Sequence, residues 1–263
     1  MATFGTTLTL VDTDGSAPRL GPDSILYVAL HAGRQSIWKR AEAQARELWV
    51  NEHARILSRP ALAPDGRVAF TVLDRNKTLL YVMDPDGKHA QLITGALPLR
   101  GDAAWSPDGQ SLVAGVVRDG EPRLTRISLR GESPLGLVSE YSLDPVWSPD
   151  GKFLLYFGAD VGTSFPVRAA AADGRPYAMP ALILPRGSRV AFARDPQKLF
   201  VLRVDPSQAT LVQVDLLSGM QRTIYRLPSD FIARDFDIAP NGREIILDRV
   251  EDNSDVALIE RAR

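Results

Sequence analysis

The sequence predicts an all-β protein: a six-bladed β-propeller with four antiparallel strands per blade, its last blade closed by a strand from the N-terminus. Three observations carry this reading: a turn motif that recurs six times, a spacing of just over forty residues between copies, and short apolar runs beside each turn. The motif is plainest at Trp105-Ser106-Pro107-Asp108-Gly109 and Trp147-Ser148-Pro149-Asp150-Gly151. Weaker copies read Leu62-Ala63-Pro64-Asp65-Gly66 and Ile238-Ala239-Pro240-Asn241-Gly242. Phe192-Ala193-Arg194-Asp195-Pro196 is a degenerate copy and Leu20-Gly21-Pro22-Asp23-Ser24 a shortened one. The apolar residue that opens each copy falls at 20, 62, 105, 147, 192 and 238, in steps of 42, 43, 42, 45 and 46. Copies at that spacing tile residues 1–263 as a single domain, with blades opening near 17, 59, 102, 144, 189 and 235.

Each element has a local cause. Proline presets φ at the first corner of a turn, Asp bonds its own backbone, and Gly accepts the left-handed conformation that closes a hairpin. The apolar run Phe153-Leu154-Leu155-Tyr156-Phe157 after the turn reads as a buried strand, and Leu79 to Met83 reads as a third strand. Asp84-Pro85-Asp86-Gly87 is then a second hairpin turn leading to a fourth strand, Lys88 to Ile93. Lys39 to Glu47 is rich in helix formers. Its place between Ile37-Trp38 and Leu48-Trp49-Val50 makes it the hairpin between a third and a fourth strand. The last repeat supplies three strands, around Asp235–Ile238, Glu244–Val250 and Asp255–Glu260, and no fourth. Residues 6–11, Thr-Thr-Leu-Thr-Leu-Val, are expected to complete that sixth blade and so remove the open edge.

Composition excludes several classes. A hydrophobic fraction of 44% with 24% charged residues is that of an ordinary globular chain. Thirty-one basic against 32 acidic residues leave a net charge of −1, so no basic footprint marks a nucleic-acid partner. With no cysteine there is neither a disulfide nor a thiolate site. No apolar run approaches the roughly 18 residues of a membrane helix, and Met1-Ala2-Thr3-Phe4-Gly5 lacks the charged and apolar regions of a signal peptide. A monomer without a membrane span is expected.

Catalytic motifs are missing. There is no G-x-S-x-G elbow, P-loop, G-x-G-x-x-G or H-E-x-x-H. His31, His53 and His89 are scattered singly, and Asp12-Thr13-Asp14-Gly15 and Asp84-Pro85-Asp86-Gly87 start like calcium loops but lack the later ligands, so both read as turns. Trp105 and Trp147, beside the turns, read as packing between blades. The candidate site lies three residues before each apolar slot, near the start of the innermost strand and a mouth of the central channel. This position is Ala17, Arg59, Asp102, Asp144, Arg189 and Asp235. The five charged members, Arg59, Asp102, Asp144, Arg189 and Asp235, are the candidate partner- or ligand-binding residues. The alternative is that they cap strand starts and pair with one another. No catalytic residue, metal ligand or cofactor is expected; were a calcium ion held, Asp102, Asp144 and Asp235 would be its set.

The Trp-Ser-Pro-Asp-Gly repeats resemble the TolB-like propeller family, a relative of the WD-repeat proteins. The closing stretch Asp235 to Val256 is similar to the ends of bacterial propellers that follow CadC-like winged-helix domains or serine/threonine kinase domains. The resemblance spans essentially the whole chain. It implies a non-catalytic repeat module that binds a protein partner or a small ligand and is excised from a longer protein. It also implies a periplasmic setting, with the cytoplasm as the alternative for a chain without an export signal. TolB's N-terminal α/β domain and TolA-binding segment have no counterpart here. The competing function is an enzyme with a channel-bound metal, a hydrolase of the lactonase kind; a third is a structural spacer.

Overall fold

The repeats fold as antiparallel sheets because the turn that opens each one sends the chain straight back along itself. In a computed structural model the described residues are 4–12, 15–42, 44–95, 97–205, 208–239, 241–250 and 254–261, with backbone alone for 4–12 and 254–261. At the clearest turn, Gly109 has φ 66° and its N–H donates to the Ser106 carbonyl at 2.8 Å. The Ser106 hydroxyl donates to Asp108 at 2.5 Å and accepts the Ser111 N–H at 3.0 Å. Ser148, Asp150 and Phe153 repeat the arrangement.

Each turn follows an inner strand that ends on the apolar slot: Gly15–Leu20, Ala61–Leu62, Leu99–Trp105, Leu143–Trp147, Arg189–Phe192 and Ile232–Ile238. Regular blades span Gly15–Val50, Leu99–Gly136, Leu143–Pro185 and Arg189–Arg226. A closing sheet pairs Phe4–Asp12 with Ser254–Arg261, then Glu244–Val250, then Ile232–Ile238. In that sheet Leu8 lies opposite Ile259 and Leu10 opposite Ala257, so the first and last strands are hydrogen-bonded neighbours.

The prediction of six four-stranded blades is corrected: five blades, not six, have that form. In the 55–94 sheet the inner strand is broken into Arg55–Ile56 and Ala61–Leu62, both paired with Val68–Asp74, which makes this a five-stranded sheet. The break has a local cause. The Ser58 hydroxyl, rather than a main-chain carbonyl, accepts the Thr71 N–H at 2.8 Å, and Pro60 has no N–H to offer the ladder.

Lys39 to Glu47 lies in the hairpin of Arg34–Ala41 with Gln44–Val50, although residue 43 is outside the described residues. Tertiary pairing of Ile37 with Trp49 overrides the helix propensity of the polar stretch between them. Residues 13 and 14 of the Asp12–Gly15 turn also lie outside the described residues.

Apolar clusters form between sheets rather than within them. Ala69 and Leu80 of the 55–94 sheet pack with Trp105 and Leu112 of the next blade. Val113 and Leu124 pack with Leu154 and Tyr156, and Phe153 and Leu155 with Leu199 and Val201. Phe200 and Leu211 pack with Phe236 and Leu247 of the closing sheet, and Ile246 with Tyr27 and Ala29 of the first blade. Every fully buried Leu, Ile or Phe contributes about 1.5–3 kcal/mol, and each is placed so as to tie two neighbours together. The result is a ring with its innermost strands around a channel.

Candidate functional site

In four of the inner strands the pairing turns irregular at or beside the position three before the slot, whereas Arg189 stays in register opposite Leu202. Register shifts fall between Ser16 and Arg19, Arg100 and Ala103, Leu143 and Val146, and Ala233 and Asp235. At these bulges Ala17 and Asp144 take left-handed φ of 51° and 49°. A bulge releases backbone N–H groups from the ladder, and carboxylates of the following sheet take them. Asp102 accepts the Arg59 N–H at 2.8 Å, and Asp144 accepts the Asp102 N–H at 2.8 Å.

Arg59 does more than offer its N–H. Its guanidinium pairs with Asp102 of the following blade and with Asp235 of the closing sheet at 2.9 Å. It thus reaches past the intervening 15–50 blade to the closing sheet. Asp235 also holds Arg19 at 3.0 Å. Of the five predicted residues, the structure joins Arg59, Asp102 and Asp235 directly and attaches Asp144 through the Asp102 backbone. Arg189 joins them through its charge alone, acting on Asp235 and Asp144: its Nη1 donates to the Ser188 carbonyl at 3.2 Å, and its buried Nε has no hydrogen-bond partner.

Three members were not anticipated. Arg19 and Asp237 each stand one residue before their slots, in the first and last repeats, and Asp248 lies opposite Asp235 on the next strand. Asp237 accepts the Leu20 N–H at 2.9 Å and Asp248 accepts the Ala17 N–H at 3.3 Å. These bonds fasten the closing sheet to the first blade.

The charges settle accordingly. Burial opposes ionisation of Asp235, but Arg19, Arg59 and Arg189 outweigh it and hold the carboxyl below its ordinary value. Burial also opposes the charge on Arg59, yet Asp102, Asp235 and Asp144 raise its pKa and keep it protonated. Asp144 and Asp237 lack a guanidinium contact. Burial pushes Asp144 up, with the charge of Asp102 next, and burial does the same to Asp237. Asp248 is pushed up to about 6 by burial and by neighbouring Asp235.

Beside this charged layer lies a cavity of about 690 Å³. Arg19, Arg59, Asp102 and Asp237 form its floor, Trp105, Trp147 and Phe192 stand in its wall, and exposed Pro22, Pro64, Pro107 and Pro149 form the rim at the turn face. The two tryptophans are therefore both packing residues and cavity wall. Trp105 donates from Nε1 to the Ala61 carbonyl at 2.9 Å beneath the Arg67 guanidinium, 4.8 Å from the ring centre. Among the described residues no group of three His, Cys, Asp or Glu is placed to hold a metal ion; Asp102 and Asp235 face Arg59 instead.

A family model described as the TolB beta propeller domain matches residues 15–179. Among solved structures, TolB from Acinetobacter baumannii superposes with a TM-score of 0.66 at 17% identity, over 82% of this chain and 53% of that one. The chain thus spans about half the length of that TolB. A putative TolB from Agrobacterium tumefaciens gives 0.65 at 18% identity, covering 83% of each chain. An oligogalacturonate lyase in complex with manganese gives 0.65 at 14% identity, over 94% of this chain and 77% of that one. Likenesses at this level of identity speak for the fold, and they include TolB proteins and a lyase alike.

Proposed function

Since the chain belongs to the TolB β-propeller domain family, we propose that it works as an interaction or ligand-sensing module, taking a protein partner or small ligand in the channel cavity at its turn face. The observation that carries this reading is the pairing of a roomy apolar cavity with a floor whose charges are engaged. Arg59 is bound to Asp102 and Asp235, Arg19 to Asp235, and Asp237 to two backbone N–H groups. General acid–base chemistry needs a group free to exchange a proton with substrate, whereas a stiff walled cavity with an exposed rim suits binding. The competing reading, a channel-metal hydrolase, has less support, because two of its three acids, Asp102 and Asp235, face an arginine.

Photo-crosslinking in the native cell tests the reading. A benzoylphenylalanine at Pro107 or Pro149, on the rim, is expected to form a defined adduct by mass spectrometry. The same group at Leu217, exposed on a hairpin outside the cavity lining, is expected to form none. Adducts from Leu217 as abundant as those from the rim would sink the proposal. So would a melting temperature raised by manganese or calcium and lost in Asp102→Asn, which is the enzyme reading's own signature.

A further inference from the structure

A second cavity, of about 470 Å³, lies between the 99–136 and 143–185 blades and shares no lining residue with the channel cavity. Its origin is a short outer strand. The fourth strand of the 99–136 blade is only Leu135–Gly136, where the neighbouring blade has Leu182–Pro185 and the 15–50 blade has Gln44–Val50. Regular ladder pairing along the Glu121–Ser128 strand is therefore limited to Thr125 and Arg126; beyond it the N–H groups of Leu137 and Val138 both donate to the Leu124 carbonyl, and Ser142 bonds to Pro122 and Leu124. The chain beyond Gly136 then crosses to the next blade, where Leu137 and Val138 pack on Leu154 and Tyr156.

The charge left in this opening is basic. Arg118 and Arg123 line it, from the paired strands Ser111–Arg118 and Glu121–Ser128. Arg123 meets Asp119 and Glu121 only at 3.8 Å, on the exposed tip of its own hairpin, where ion pairs contribute little. Its Nε is buried with no hydrogen-bond partner, a cost that native structures rarely leave unmet. The one acid in the lining, Glu140, is taken: Arg168 pairs with it and the Tyr156 hydroxyl donates to it at 2.7 Å. The contact with Arg168, then that with Tyr156, holds Glu140 below its ordinary value, so it stays an ion committed to those partners. Apolar wall is supplied by Leu137, Val138 and Pro176.

We propose that this inter-blade cavity binds a small phosphorylated organic molecule, its phosphate at Arg118 and Arg123 and its body against Leu137, Val138 and Pro176. Guanidinium groups are matched to the acceptor oxygens of phosphate. The volume lies within the range of small-molecule sites and leaves room for an organic body beside the anion. The site is independent of the channel.

Calorimetric titration with phenyl phosphate, inorganic phosphate and phenol decides the matter. Phenyl phosphate is expected to bind tightest, inorganic phosphate more weakly, and phenol without measurable heat. Arg123→Gln should weaken phenyl phosphate at least about tenfold, the loss of a charge-assisted contact. Gly136→Phe is a second probe: a Cβ there meets only Arg118 Nη1, at 3.9 Å, so the ring enters open space at the site without straining the backbone. It should abolish binding while leaving the melting profile intact, and it decides the question if Arg123→Gln fails to fold. No heat from phenyl phosphate, equal binding of phenol, or undiminished binding in Gly136→Phe would each overturn the proposal. Equal affinity for inorganic and phenyl phosphate would overturn the organic body.

Discussion

The seam between the 143–185 and 189–226 blades and the seam where the closing sheet meets the first blade do the same job with different materials. Thirteen buried apolar residues join the former. Tyr27, Ala29 and Ile246 pack across the latter, where the side chains of 4–12 and 254–261 lie outside the described residues. The closing seam instead concentrates charge and polar contacts. Arg19 pairs with Asp235, Asp237 takes the Leu20 N–H, and Asp248 takes the Ala17 N–H. The difference teaches that the junctions of a ring of near-equal repeats are not made alike, and that the closing one gathers ionisable groups whose protonation bears on its stability. An apolar seam is insensitive to pH, and a charged one cannot be.

The largest effect should come from Arg59, which links the closing sheet to the 99–136 blade across the first blade. Arg59→Met leaves Asp102 and Asp235 with side chains 14% and 6% exposed and short of a cation. Removing one partner of a buried pair costs about 3–5 kcal/mol, which for a domain of this size lowers the melting temperature by about 10 °C. Thermal unfolding followed by circular dichroism measures this. A loss below about 1 kcal/mol would mean that closure rests on the pairing of Phe4–Asp12 with Ser254–Arg261 rather than on the charged layer.

A smaller effect tests an interior junction. Gly151 has φ 71°, and a Cβ there would stand 2.9 Å from Pro107 Cγ in the turn of the preceding blade. Gly151→Ala therefore carries both a left-handed alanine and an overpacked contact, together about 2 kcal/mol. Because no charge is involved, the loss should be the same at pH 5 and pH 8. A pH-dependent loss would erase the distinction between the two kinds of seam.

How much of this the sequence discloses follows from where its periodicity stops. The slot and the position three before it recur in every repeat, so Arg59, Asp102, Asp144 and Asp235 are legible from spacing alone. Arg19 and Asp237 are not. The residue before the slot is Ala61, Ala104, Val146 and Ala191 in the other repeats; it is charged only in the first and last, which become neighbours when the ring closes. Asp248 sits outside the repeated offset, and only the pairing of Asp235 with Asp248 across two strands brings it in. The split inner strand was equally hidden. Pro18 and Pro145 stand where Pro60 does and leave their strands whole; the break also needs the Ser58 hydroxyl to displace a ladder acceptor. The 99–136 outer edge, and with it the inter-blade cavity, is a matter of strand length that turn spacing cannot reveal.

The smallest effect has the opposite sign and is the sharpest test of the closing seam. Asp248 is 5% exposed, and Oδ1 has no hydrogen-bond partner. Its carboxyl is pushed up to about 6 from an ordinary value of 3.8, by burial first and by Asp235 as well. A carboxyl raised in the fold binds its proton more tightly there than in the unfolded chain. The folded state therefore loses stability as pH climbs from 3.8 to about 6, and the loss persists above that. Asp248→Asn removes the charge and keeps an oxygen for the Ala17 N–H, while its new amide can donate toward Asp235. The variant is expected to be more stable than the native protein at pH 7, by on the order of 1 kcal/mol, and to lose that advantage below pH 4. Urea unfolding at a series of pH values gives the curve. An Asn variant less stable at pH 7 would show that the Asp248 charge is a working part of the network with Arg19 and Asp235.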